Sequence, residues 1–237
     1  RREMNPEQNT LSAPPRIVVA IDGPSGSGKS TTAKGVARRY GLAYLDTGAM
    51  YRAVACAFLQ AGIETTDIPR IIEVTRAAEI EISTDPDLER VVVNGIEVTQ
   101  QIREPETSAK VSAVSTVPEC RENLVQRQRD LIDGAPRGIV AEGRDITTVV
   151  APDADVRILL TADPEVRVAR RKIDVGDKAT HADVVDQVLR RDRDDSKLVE
   201  FHKAADGVYT IDTTAMSIPV NIQAVCDVVA QVTGVKA

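Results

Sequence analysis

The sequence predicts an α/β fold of three layers, a parallel central sheet covered by helices on both faces. Three observations carry that prediction. Short, nearly continuous apolar runs at Ile17 to Ile21, Gly138 to Ala141 and Val156 to Thr161 read as strands buried on both faces. Helical patterns separate them, so the strands connect through crossovers. Each run closes on polar residues or a glycine-rich turn, where sheets of this class carry their ligands.

Arg1 to Pro15 is polar and proline-marked, without apolar periodicity, and reads as a disordered, mobile N-terminal tail. One domain is expected over 16–237. After the first strand, Thr31 to Tyr40 places Ala33, Val36 and Ala37 on one helical face, and Gly41 stops it. Leu42 to Leu45 reads as a strand and Ala49 to Ala61 as a helix ending at Gly62. Ile68 to Ala78 is helical. Glu79 to Ser83, Arg90 to Val93 and Ile96 to Thr99 then read as short strands, with Asn94-Gly95 as a hairpin turn. The stretch of about 65–106 is therefore an antiparallel insertion. Helices follow at Thr107 to Thr116 and Pro118 to Ile132, where Pro118 suits a first helical turn. Beyond the later strands, helices are expected at Pro164 to Ile173, Ala182 to Arg193 and Ile218 to Val232, with a last strand at Val208 to Ile211.

Composition narrows the function. The 237 residues suffice for one α/β domain with an insertion. Lys plus Arg number 30 against 36 Asp plus Glu, a net charge of −6. That excess argues against a dedicated nucleic-acid or membrane-surface protein, yet allows a basic patch around a small anion. Aromatics are 3% with no Trp, so no base-stacking platform is expected. Cys56, Cys120 and Cys226 form no C-x-x-C pair, which suggests neither a disulfide framework nor a zinc site. The longest uncharged run, Thr213 to Cys226, is too short to span a bilayer. The expectation is a cytoplasmic monomer with no membrane and no nucleic-acid partner.

The strongest signal is Gly23-Pro24-Ser25-Gly26-Ser27-Gly28-Lys29-Ser30-Thr31. It matches G-x-x-x-x-G-K-[ST] and stands between a buried strand and a helix, as a phosphate loop requires. A Gly/Ser-rich turn alone is commonplace; the full spacing with both flanking elements is not. The glycines let main-chain N–H groups turn around phosphate oxygens, and the helix N-terminus adds positive potential. Lys29 would reach the β- and γ-phosphates, and Ser30 would offer its hydroxyl to Mg²⁺. No guanine-reading Asn-Lys-x-Asp element and no apolar run ending in Asp-Glu is present, so a small kinase remains. The other strand ends supply Asp46-Thr47-Gly48, Glu142-Gly143-Arg144-Asp145 and Asp163, with Arg52 shortly beyond Thr47. Arg144 on a phosphate and Asp145 on a ribose or amine is the physical expectation.

Together, Gly23 to Lys29, Asp46-Thr47-Gly48-Ala49-Met50-Tyr51-Arg52 and Glu142-Gly143-Arg144-Asp145-Ile146 resemble the bacterial cytidylate kinases (CMP kinases), of the nucleoside monophosphate (NMP) kinase family. The likeness runs from about Arg16 to the C-terminus. It implies a P-loop kinase fold in which the insertion is an NMP-binding subdomain. It also implies transfer of the γ-phosphoryl group of ATP to CMP or dCMP, with Mg²⁺. Gly23 to Thr31 match the ATP-phosphate loop. Thr47 and Arg52 match acceptor-nucleotide positions, with Arg52 on the phosphate. Ser112 and Arg121 match residues around the cytosine ring. Arg144 and Asp145 match a phosphate and a sugar contact, Arg191 a phosphate-binding arginine and Asp195 a sugar-binding carboxylate. Lys29, Arg144 and Arg191 would act on the transferred group, and Glu142 would order waters on Mg²⁺. Arg167 to Lys172 and Arg190 to Arg193 flank a Gly-containing loop, which resembles a short lid at about 171–181. The plain alternative is a pair of exposed helices with Asp–Arg pairs.

Two positions depart from the family pattern. Leu198 replaces a usual arginine in Ser196-Lys197-Leu198, and Thr147 stands where glycine is usual. Two other readings stay open on the residues alone: a P-loop kinase for a different small acceptor, and a nucleotide-dependent switch without phosphotransfer. Ser112 and Arg121 facing the pocket would favour a cytosine ring.

Overall fold

The computed structural model describes residues 12–196 and 203–237. Five parallel strands form the main sheet in the order β2-β6-β1-β7-β8. Strand β1 (Ile17–Asp22) lies at its centre, between β6 (Gly138–Gly143) and β7 (Val156–Thr161). β2 (Ala43–Asp46) and β8 (Tyr209–Asp212) form the edges. All six residues of β1 and of β6 are buried, which is why their sequences run apolar rather than alternating. From β1 the chain runs to the edge strand β2, returns to β6 beside β1, and then crosses to β7 and β8 on the other side, so the switch point lies at the carboxyl end of β1.

Helices α1 (Lys29–Tyr40) and α9 (Ile218–Thr233) cover one face. Ala33, Val36 and Ala37 pack there against Val19, Ile21, Ile158 and Val225. Helices α2 (Thr47–Gln60) and α6 (Pro118–Asp133) cover the other, where Met50, Val125 and Ile132 meet Val18, Ala20 and Ile139. The outer side of α2 carries a second core with α3 (Ile68–Ala77) and an antiparallel sheet of β3 (Ile80–Ile82), β4 (Val91–Val93) and β5 (Ile96–Glu97). Asn94 with φ 51 and Gly95 with φ 76 form the expected hairpin turn. Helices α7 (Pro164–Val175) and α8 (His181–Ser196) pack through Val168, Val175, Val184 and Val188.

Several element boundaries differ from the sequence expectation, each for a local reason. Helix α2 begins at Thr47 rather than Ala49, because the Asp46 carboxylate caps it by accepting the Ala49 N–H at 3.0 Å. Strand β6 continues through Glu142 and Gly143, since Asp46 and Asp22 extend the ladder to those residues. The single helix expected at Thr107 to Thr116 is two, α4 (Pro105–Lys110) and α5 (Ser112–Ser115). Bonding tightens to three-residue spacing there, from Val111 N–H to the Ser108 carbonyl and from Val114 N–H to that of Val111. A π-turn at Ile146–Val150, directly after Arg144-Asp145, is an addition. Among the described residues no helix is long and apolar enough to cross a membrane. The three cysteines are buried thiols.

Candidate active site

The phosphate loop forms because β1 delivers a buried, straight strand to Gly23 and α1 takes over at Lys29. Gly26 and Gly28 hold φ of 77° and 85°, the left-handed region that side-chain-bearing residues avoid. Gly26 is doubly constrained, because a Cβ there would strike the Arg167 main chain of α7. The outer carbonyls of the loop are also held. Arg167 donates to Ser25 O at 3.4 Å, Arg170 to Gly26 O at 3.3 Å, and Thr213 Oγ1 lies 3.0 Å from Ser27 O. Holding three successive carbonyls fixes the shape of the loop, whose Gly23 and Ser27 N–H groups donate to the Gly143 and Pro24 carbonyls at 3.2 Å each.

That cleft has a volume of ≈ 340 Å³ and opens at the carboxyl ends of β1, β2 and β6. Eight cationic side chains line it against four carboxylates, in a chain whose net charge is −6. The concentration of positive charge in one concavity points to polyanionic ligands. Arg144 and Arg191 lie close enough to Lys29 of the phosphate loop to repel it, and Arg52 and Arg103 likewise act on Arg171.

The carboxylates organise these cations. Asp46 accepts from Arg52 at 2.9 Å while it caps α2. Burial alone would raise its pKa; Arg52, the Ala49 N–H and Lys29 outweigh that and hold it below the usual carboxylate value. Glu142 accepts from the Ser30 hydroxyl at 2.7 Å and from the Tyr44 hydroxyl at 3.1 Å. Burial and the neighbouring Asp46 push its pKa up, against Lys29. Desolvation, with repulsion from Arg144 and Arg191, brings Lys29 down from 10.5 to about 8 despite attraction from Glu142. Asp192 is buried between Arg144 at 3.1 Å and Arg167 at 2.6 Å, so one carboxylate ties β6, α7 and α8 together. Asp145 accepts from Arg121 at 2.6 Å.

A family model described as cytidylate kinase matches residues 19–233. The chain belongs to the cytidylate kinase family. A cytidylate kinase of Cutibacterium acnes is 54% identical over 215 residues, covering 90% of this chain and 96% of its own length. Those of Streptomyces avermitilis and Mycobacterium avium are 43% and 44% identical, covering 95% and 91% of this chain and 97% and 96% of theirs.

In this member of the cytidylate kinase family, most of the site residues read from sequence line the one cleft. These are Ser25, Gly26, Gly28, Lys29, Ser30, Thr31, Thr47, Arg52, Arg121, Glu142, Arg144, Asp145 and Arg191. Gly23, Pro24 and Ser27 belong to the loop without lining the cleft, and Ser27 is fully buried. Thr47 is buried and donates to the Glu142 carbonyl at 2.8 Å. Ser112 lines a small neighbouring cavity with Ser25, Gln187, Arg190 and Arg191, and the cleft itself is lined instead by Ser115, one helical turn on. Leu198 and the side chain of Asp195 lie outside the described residues.

Asp192, Arg103 and Thr213 escaped the sequence reading. Asp192 sits in Arg191-Asp192-Arg193-Asp194, an alternation that reads as a solvated helical face. The i,i+4 pair of Arg190 and Asp186 at 3.6 Å does fit that reading. Only its ion pairs with Arg144, just beyond β6, and with Arg167 of α7 show that Asp192 points inward. Arg103 lines the cleft from the insertion.

Ser30 and Glu142 offer hard oxygen donors side by side, a set that suits Mg²⁺ carried mainly by phosphate oxygens and water. Among the described residues, no group of three His, Cys, Asp or Glu side chains could hold a metal by itself. The residues present fit an ion that arrives with a nucleotide.

Proposed function

We infer that this enzyme transfers the γ-phosphoryl group of ATP to CMP or dCMP, giving ADP and CDP or dCDP. One observation carries the reading: a phosphate loop and a cluster of arginines from several other elements line one cleft. The loop and Lys29 would grip the triphosphate. Arg52 and Arg144 would hold the acceptor phosphate, Arg121 and Asp145 would meet its base and sugar, and Arg191 would neutralise the group in transit. Ser30 would ligate Mg²⁺ and Glu142 would act on its waters; the ion, when bound, offsets charge on the phosphates.

The acceptor phosphate is largely a dianion at neutral pH, with a second pKa near ~6. It can attack without giving up a proton. No histidine among the described residues lines the cleft, and such an acceptor needs no general base. Catalysis then rests on alignment and charge. The region of 65–106 would serve as the NMP-binding subdomain, and the α7–α8 connection at 171–181 as a lid. An ion pair of Lys178 with Glu104 at 3.6 Å supports that reading, because it places the α7–α8 loop against the insertion side of the cleft.

A panel of nucleoside monophosphates with MgATP tests the proposal. ADP release should be fast with CMP and dCMP and near background with AMP and GMP. Equal slow hydrolysis whatever the monophosphate would favour a nucleotide switch instead. A pH prediction attaches to the same assay. With Lys29 at about 8 in the ligand-free enzyme, its ammonium loses the proton as pH rises through that value. The kcat/KM for ATP should therefore fall by about tenfold per pH unit above that point, the free-enzyme limb of the profile. A flat profile between about pH 7 and 9.5 would contradict it.

A further inference from the structure

Asp22 ends β1 immediately before the phosphate loop and is 2% exposed. Its carboxylate does not face the cleft lining. Instead Oδ1 accepts the Ile146 N–H at 2.8 Å, and Oδ2 accepts the Thr147 N–H at 2.8 Å and the Thr147 hydroxyl at 2.6 Å. Ile146 opens the π-turn that follows Arg144-Asp145. On the other side of that pair, Gly23 N–H donates to the Gly143 carbonyl at 3.2 Å. Arg144 and Asp145 are thus a two-residue span clamped at both ends by consecutive residues, Asp22 and Gly23. The far end of the π-turn is held separately, by Arg129 donating to the Val149 and Val150 carbonyls at 2.7 and 3.2 Å. Its near end is held by Asp22 at the Ile146 and Thr147 N–H groups and by Arg157, which donates to the Thr147 carbonyl at 3.1 Å.

We propose that Asp22 and Thr147 are positioning residues for the acceptor subsite, aiming Arg144 and Asp145 into the cleft from the root of the phosphate loop. The proposal rests on reading Arg144 and Asp145 as acceptor contacts. Burial pushes the Asp22 carboxyl up to about 6 even against its three donors, so its ionised form is held at a cost. The Thr147 hydroxyl is the one donor supplied by a side chain. Glycine, the residue that the sequence resemblance leads one to expect at 147, would leave Asp22 with two.

Steady-state kinetics of T147V, T147S and R144A test this, varying CMP at saturating ATP and then the converse. Valine keeps the volume and the main-chain N–H but loses the hydroxyl. T147V should raise the KM for CMP about five- to tenfold with the KM for ATP within about twofold, less than the full worth of a bond to a charged group because the lost bond acts on CMP only through Arg144 and Asp145. T147S should stay within about twofold of the parent for both substrates. T147G, which keeps the main-chain donor without a side chain, carries the same expectation as T147V. If R144A raises the KM for CMP but T147V and T147G do not, the positioning role is wrong and the acceptor assignment stands. If R144A leaves it unchanged, the acceptor assignment fails and takes the proposal with it. Equal rises for both substrates in T147V would also overturn it.

Discussion

Lys29→Ala should lower kcat by at least ~10²-fold, the loss typical when a preorganised charge-stabilising donor is removed. Lys29 is the first residue of α1, at the point where the loop's N–H groups and the helix N-terminus converge. Its surroundings already include Arg144 and Arg191, whose repulsion and the loss of solvent bring its pKa down. An ammonium kept in that company is stabilised by the arrival of phosphate charge, so its effect grows as negative charge develops on the transferred group. The neighbouring arginines come from other elements, Arg144 from the residue after β6 and Arg191 from α8, so neither takes the place of a residue on the first turn of α1. Turnover within a few-fold of the parent would remove Lys29 from the mechanism.

Asp192→Ala should cause the largest loss of stability of any single change in the site. Its carboxylate is buried, with Arg144 at 3.1 Å and Arg167 at 2.6 Å, both nearly inaccessible as well. Truncating it removes the carboxylate shared by two buried guanidinium groups and leaves their charge uncompensated there, a defect that costs about 3–5 kcal/mol. For a domain of this size each kcal/mol shifts Tm by roughly 2–4 °C, so a fall of about 6–20 °C is expected by thermal denaturation. Binding should suffer in step, because Arg144 loses one of its anchors and Arg167 is also a hold on the Ser25 carbonyl of the phosphate loop. Asp192→Asn, which retains an acceptor, should fall between the two. A change in Tm under about 2 °C would show that the pair is solvated and structurally idle.

The parts of this molecule that were legible in advance share a cause. The strand at Ile17 is buried on both faces and the one at Val156–Thr161 is buried at four of its six residues, so apolarity marks them. The loop from Gly23 to Thr31 was legible because main-chain geometry demands glycine at fixed spacing. Harder were residues whose role depends on what packs beside them. Asp192 looks like one more surface acid until α8 is laid against Arg144 and Arg167. Thr213 is buried beside the loop through a contact spanning 186 positions of sequence, a separation no local pattern reports. The split between α4 and α5 also escaped, because Val111 has ordinary helical angles and only the hydrogen-bond spacing changes around it. Placing Ser112 beside Gln187 and Arg190 likewise needs the fold, since the cleft wall turns on which face of a four-residue helix looks inward.

The central claim is that the two anions meet in one cleft and that the outer phosphoryl group crosses directly between them. Incubation with CMP, Mg²⁺ and ATP labelled in its γ-phosphorus tests it most plainly. The label should appear in the β-position of CDP, in amounts matching the ADP formed and dependent on CMP. Label released instead as inorganic phosphate, at a rate indifferent to CMP, would contradict the account.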